Sequence, residues 1–341
     1  MTMTQTGTYD EALERLHRTG SEWDGWMSNH GPMAVDVLAR RGEGARIHAW
    51  VDDYATRLDD LPSEHRPIRT PDDERDALGD AARLGDWIAH LERLLEQSPW
   101  EDVLAAWWPR LLPGIAAGAT HGVIRTGHAT MALRAEDNAV RRTELAQALG
   151  YWAARWQAVP RIALHGTRDA ASLVAGVPRI APQAGGIRER LARLGAVASW
   201  PEHVASLAPP TDVARSLDEL VDAVVALYPV AAHGNPTMLV HAATAPHAVA
   251  RTLPSLPHDQ WADAYAYAWS ATAAVLSCYL PGQLADDGRA GTPRVEGAWD
   301  AARAHGGEHV LKLADVALDV HARTGDPAAV TAITTAVALD A

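Results

Sequence analysis

The sequence contains no phenylalanine, one cysteine and one lysine. A lone Cys278 cannot close an internal disulfide and belongs to no metal-binding spacing, which fits a reducing cytoplasm. Of the 30 basic residues only Lys312 is not arginine. Biased codon usage would by itself account for that excess. The chemical difference is real all the same, because arginine stays charged while an amine in apolar surroundings can be neutral and reactive. No dense Lys/Arg run occurs and the net charge is -13, which argues against nucleic acid and anionic membranes as partners. The first eight residues lack the basic and apolar regions of a signal peptide. The most apolar stretch, Ala264 to Leu280, carries Tyr265, Tyr267, Ser270, Thr272 and Ser277 and stops at Pro281, so it reads as a buried helix and not as a membrane span.

Several motifs are missing as well. There is no G-x-G-x-x-G after a strand and no P-loop, which leaves a nucleotide site of either kind without support. H-E-x-x-H and G-x-S-x-G do not occur, and a ferritin-like di-iron centre finds only Glu14-x-x-His17. Few segments alternate with period two, so the expected class is all-α, with a metal or substrate site in the helical core.

What is present is 48% hydrophobic and 21% charged, the composition of a globular chain. Helical periodicity predicts helices over Asp10 to His17, Met33 to Arg40, Ile47 to Leu58, Leu84 to Leu95 and Glu144 to Trp156, with a helical pattern from Glu101 to Leu133 interrupted at Pro109 and Pro113. Later helices are expected over Leu217 to Leu227, Thr237 to Ala243, Ala248 to Leu253, Trp261 to Leu280, Glu308 to Arg323 and Pro327 to Ala338. We expect one domain over residues 1–341. The Pro- and Gly-rich stretch 159–210 contains one Arg-rich helical piece and reads as a lid, an excursion or a boundary.

Sixteen histidines divide by context. His17, His65, His90, His203, His258 and His321 lie in charged or loop-like surroundings and read as surface groups. His30, His121, His128, His241, His247 and His309 sit among small or apolar residues beside helix breakers. Each of these, taken singly, reads first as a core imidazole satisfied by a carbonyl. Together, neutral imidazoles from several helices would make a metal site inside a bundle. On a helical wheel His309 faces the core, with Lys312 about 60° away at the border with Asp315 and Asp319. Lys312 is then either an interfacial lysine paired with Asp315 at i+3, or a partner of His309 on one metal after reacting with CO2 to give a carbamate.

The segments Asn29-His30-Gly31-Pro32-Met33, Trp107-Trp108-Pro109-Arg110-Leu111-Leu112-Pro113-Gly114, Gly118-Ala119-Thr120-His121-Gly122-Val123-Ile124-Arg125-Thr126-Gly127-His128, Ala148-Leu149-Gly150-Tyr151-Trp152, Val240-His241-Ala242-Ala243-Thr244-Ala245-Pro246 and Glu308-His309-Val310-Leu311-Lys312 resemble the questin oxidase-like family of aromatic polyketide oxidation. The resemblance implies oxygen insertion or ring cleavage in anthraquinone-type or other phenolic polycycles, with O2 as co-substrate. It also implies non-haem Fe2+, replaceable by Zn2+ or Ni2+ on purification, held by His30, His121, His241, His309 and a carbamate on Lys312. Arg125 stands where relatives are expected to have a second histidine.

In this reading His128 and His247 transfer protons or orient ligands, and Trp107, Trp108, Trp152 and Trp156 are either flat walls for the substrate or ordinary core. Three other functions fit the sequence. One is an NADPH-dependent Baeyer-Villiger-type oxygenase without metal, another a helical metal hydrolase built on His258-Asp259, and the third a non-catalytic ligand-binding protein.

Overall fold

The computed structural model describes residues 3–286 and 294–339. Among them are seventeen α-helices and two two-residue strands, so the class is all-α. None of the described helices is long and apolar enough to cross a membrane. The chain divides into two compact units, residues 1–158 with 251–258, and residues 159–250 with 259–341.

The first unit opens with α1 (Met3–Leu16). A small antiparallel hairpin follows, β1 (Glu22–Trp23) and β2 (Met27–Ser28), joined by Asp24-Gly25-Trp26 with positive φ at Asp24 and Gly25. An Asp-Gly pair adopts that conformation readily, which is why this segment is a hairpin and not an open loop. Then come α2 (Gly31–Arg40), with Pro32 in its first turn, and α3 (Ile47–Tyr54), which ends in a 3-10 turn, Ala55–Arg57. A helix that period analysis overlooks, α4 (Pro71–Ala77), is held by a reciprocal cap in which Thr70 and Asp73 bond each other's backbone N–H groups.

The rest of the unit is α5 (Leu84–Gln97), α6 (Trp100–Leu111), α7 (His121–Ala135) and α8 (Ala139–Ala154), with α8 packed against both α5 and α7. Gly122 makes the α7–α8 approach possible, because a Cβ there would lie 2.7 Å from the Trp152 side chain. Trp108 and Trp152 meet edge to face at 5.4 Å, and Trp152 Nε1 donates to Gly114 O at 3.0 Å. Between these helices Arg125 donates to both carboxylate oxygens of Glu144 (2.6 and 2.8 Å) and to Gln147 Oε1 (3.0 Å). His17 completes this network at 3.0 Å from Glu144, so it is a structural partner and not a free surface group.

The second unit begins with three short helices, α9 (Ala170–Val174), α10 (Ile187–Ala192) and α11 (Trp200–Ala205). It continues with α12 (Val213–Ala231), α13 (Pro236–Thr252), α14 (Trp261–Tyr279), α15 (Val295–His305), α16 (Glu308–Thr324) and α17 (Pro327–Leu339). Stretch 159–210 therefore holds three helical pieces where one is expected. Its residues are fastened to α14: Trp269 Nε1 donates to Val204 O (2.9 Å), Ser277 Oγ to Pro178 O (2.6 Å) and Arg190 to Cys278 O (2.7 Å).

In place of two helices around Thr244-Ala245-Pro246, α13 runs through Pro246. Proline has no N–H for the Ala242 carbonyl four residues earlier, and Thr272 Oγ1 from α14 donates to that carbonyl instead at 3.3 Å. Helix α15 was not expected from periodicity; it places His305 in its last turn and ends at Gly306 with φ 73°.

Candidate metal centre

Two of the sequence-selected histidines meet inside the first unit. His30 stands just before α2, its backbone N–H donating to the Tyr54 hydroxyl at 2.6 Å, and His121 opens α7. Their rings are edge to face with centroids 4.5 Å apart, and the two Nε2 atoms are separated by 2.7 Å. Two lone pairs cannot face each other at that distance, so a proton or a cation must sit between them.

The orientation of His121 comes from the three residues before it. Gly118, Ala119 and Thr120 all have positive φ (51°, 56° and 71°), a left-handed turn that two side-chain-bearing residues enter at about 1–2 kcal/mol each. The turn brings the Gly118 carbonyl onto His121 Nδ1, which donates to it. With its proton held at Nδ1, the imidazole presents the Nε2 lone pair as a ligand. Gly118 has no substitute, because a Cβ there would lie 2.5 Å from the Tyr151 hydroxyl. That hydroxyl is itself fixed by Ser28 Oγ at 2.6 Å and Glu22 at 3.2 Å.

Inside the second unit, His241 on α13 and His309 in the first turn of α16 are both buried and lie edge to face at 5.2 Å. One turn after His309, Lys312 is only 1% exposed. Its Nζ has no hydrogen-bond partner among the described residues, Asp315 included. The wheel placed Lys312 at a polar border. It lies inside instead, since nine successive residues of α16, His309 to Ala317, are all buried. Burial pushes the amine down from 10.5 to about 7, with the Glu308 carboxylate opposing the shift. The amine is thus close to half neutral at neutral pH.

His30, His121, His241 and His309 each offer one ring nitrogen, these atoms lie within 4.8 Å of one another, and the group could hold a metal ion. Four imidazoles suit Fe, Zn, Cu or Ni and do not suit Mg or Ca.

The remaining selected residues lie outside that group. His128, two turns along α7 from His121, is bound through Nδ1 to Asp36 of α2 at 2.6 Å. Asp36 also accepts from Arg40 at 2.9 Å. His247 lies 3.2 Å from Asp319 of α16, through Nε2. Trp107, Trp108 and Trp152 are core, at most 3% exposed, and Trp156 packs over Gly114. His90 is wedged between Trp87 and Trp107, with ring centroids at 6.0 and 5.7 Å, and burial lowers its pKa. His258 and Asp259 are exposed on a 3-10 turn and join no group of potential ligands among the described residues.

Asp36 and the Gly118–Thr120 turn escaped the sequence reading. A carboxylate in the middle of Val35-Asp36-Val37-Leu38, an apolar run between two buried flanks, was the available signal for the first. A left-handed turn containing a β-branched residue has none. In comparisons with known proteins, no family model matches the chain and no curated protein matches it.

Proposed function

We propose that the protein is a metal-dependent oxygenase of the questin oxidase-like kind, acting on a phenolic polycyclic substrate. The observation that carries this reading is the group of four buried histidines that could hold a metal ion, beside the fact that the chain's single lysine follows one of them, His309, by one helical turn and has its amine buried without a hydrogen-bond partner among the described residues. Burial in that setting leaves a sizeable neutral fraction at neutral pH, and a neutral amine can add CO2 and become an anionic oxygen ligand. Arginine can do neither, which gives the exception at position 312 a chemical reason.

The residues that would hold the ion are His30, His121, His241, His309 and carbamylated Lys312. When bound, the metal supplies Lewis acidity toward a phenolic oxygen and a site for oxygen chemistry. The chain's own work is positional. Gly118 O holds the Nδ1 proton of His121 and so points its Nε2 lone pair inward, and the Tyr54 hydroxyl fixes the backbone of His30. Burial of all five candidate ligands keeps water from competing for them.

The test is elemental analysis of the purified protein with and without added bicarbonate, in parallel with Lys312→Arg and His309→Ala. Iron, or zinc or nickel in its place, is expected near one per chain in the native protein and at a small fraction of that in both variants. Oxygen uptake with a hydroxyanthraquinone should follow metal content. A native protein that carries no metal and takes up no supplied Fe2+ overturns the proposal, as does NADPH oxidation by metal-free protein with substrate.

A further inference from the structure

One hydroxyl touches both stretches of chain that lead into the His30–His121 pair of the first unit. Tyr151 lies on α8 and is 2% exposed, with its hydroxyl 2.6 Å from Ser28 Oγ and 3.2 Å from Glu22 Oε1. The Glu22 carboxylate can only accept, so the phenol donates its single proton there and accepts from Ser28. Burial and the neighbouring Glu22 push the phenol up, so it keeps that proton. Glu22 and Ser28 are directly opposite each other in the β1–β2 hairpin, at the end away from its tip. Arg155, one turn further along α8, holds Glu22 through its other carboxylate oxygen. The base of the hairpin is thereby pinned to α8 at two points.

From Ser28 the chain runs through Asn29 directly into His30. Asn29 leaves it no slack: its backbone N–H donates to Ser21 O at 2.8 Å, and its side chain donates to Gly20 O at 2.9 Å and accepts from Gly31 N at 2.8 Å. On its other side the Tyr151 hydroxyl lies against Gly118, where an added Cβ would be 2.5 Å from it. Gly118 supplies the carbonyl that takes the Nδ1 proton of His121. The two imidazoles come from positions 91 residues apart, and their lead-in segments meet at one atom of α8.

We infer that Tyr151 is a positioning residue: its hydroxyl sets the separation and relative orientation of the His30 and His121 rings, and through them the affinity of these ligands for a metal ion. The inference rests on the metal-centre part of the reading given above and needs no oxygenase chemistry. Groups that hold ligands from behind typically govern metal affinity by about 10–100-fold. A tyrosine that only packs would affect stability and leave the relation between the two rings unchanged.

The first measurement uses chelator-treated full-length protein with nitrogen-15 in its histidine rings. The proton between the two Nε2 atoms, 2.7 Å apart, transmits a nitrogen–nitrogen coupling across the hydrogen bond. Wild type should show that coupling, and Tyr151→Phe, which keeps the ring and loses the hydroxyl, should lose it. Ser28→Ala breaks the same bond from the hairpin side, so the test stands even where Tyr151→Phe fails to fold.

The second measurement is Zn2+ affinity by competition with a chromophoric chelator. It should fall about tenfold in Tyr151→Phe and in Ser28→Ala, and the double variant should be no weaker than Tyr151→Phe alone. An unchanged coupling or unchanged Zn2+ affinity in Tyr151→Phe, no coupling in wild type, or losses that multiply in the double variant each overturn the inference. Refusal of Zn2+ by wild type overturns the metal-centre reading instead, and the coupling alone then decides whether Tyr151 sets the pair.

Discussion

Replacing Lys312 by Met in the metal-free protein should make the fold more stable at neutral pH, and the gain should vanish in alkali. In the unfolded chain the amine titrates near its ordinary 10.5, and in the folded chain near about 7. Between those values the unfolded state holds a proton that the folded state has released, so wild-type stability rises with pH across that window. Below the folded pKa both states are protonated and the folded one bears the whole penalty of a buried ammonium. At about 1.36 kcal/mol per unit, the penalty is about 4 kcal/mol at pH 7 and under about 1 kcal/mol at pH 10. Met has similar length and no charge to desolvate, and its own misfit should stay below about 1.5 kcal/mol.

The assay is urea unfolding of both chelator-treated proteins at intervals from roughly pH 6 to pH 10, compared as a difference so that other alkaline effects cancel. A difference that narrows by about 4 kcal/mol from the acid to the alkaline end is expected. Parallel curves would refute the reasoning, since they would mean that the buried amine finds solvation or a partner as good as water.

Glu144→Gln should cost about 3–5 kcal/mol in denaturant unfolding, because it leaves the buried Arg125 guanidinium without its carboxylate. The same pair implies acid sensitivity. Arg125 and His17 hold Glu144 below its usual range against its burial, so its contribution is complete above about 4.5 and is lost as pH falls through the folded value, a loss absent from the variant. Thr272→Val should lower stability by about 1–3 kcal/mol, measured by thermal unfolding, since the Ala242 carbonyl freed by Pro246 then loses its donor. Gly118→Ala should lose at least about 1 kcal/mol from backbone conformation, and the added collision with Tyr151 should be partly relieved in the double variant with Tyr151→Phe.

How much of this was legible in the sequence depended on how local the cause was. The helices with apolar stripes, such as α5 and α16, are expected with ends within a few residues of those observed, because period 3.6 is written in the residues themselves. Pro246 misled for a tertiary reason: a proline breaks a helix only if nothing else satisfies the freed carbonyl, and the rescuing Thr272 is far away in sequence. Helix α4 was missed because its support is a cap and not an apolar stripe.

At the candidate metal centre, six histidines are readable as lying beside breakers and the structure groups four of them, His30, His121, His241 and His309; what separates these from His128 and His247 in the sequence is the resemblance and not their context. The depth of Lys312 was not readable from its own helix. Asp315, on its polar side by sequence, is also buried, and burial on that side is decided by what packs over α16. The acid that orients His128 was likewise hidden, since Asp36 and His128 are 92 residues apart.

The left-handed turn before α7 has one more consequence. Turn, acceptor carbonyl and imidazole all fall within the five residues Gly118 to Gly122, so the aim of this candidate ligand is written in one short piece of chain. Such a piece is portable. Grafted onto the start of another helix, with space left beside its first glycine, it would carry along a histidine whose tautomer is already chosen, a ready part for building metal sites elsewhere.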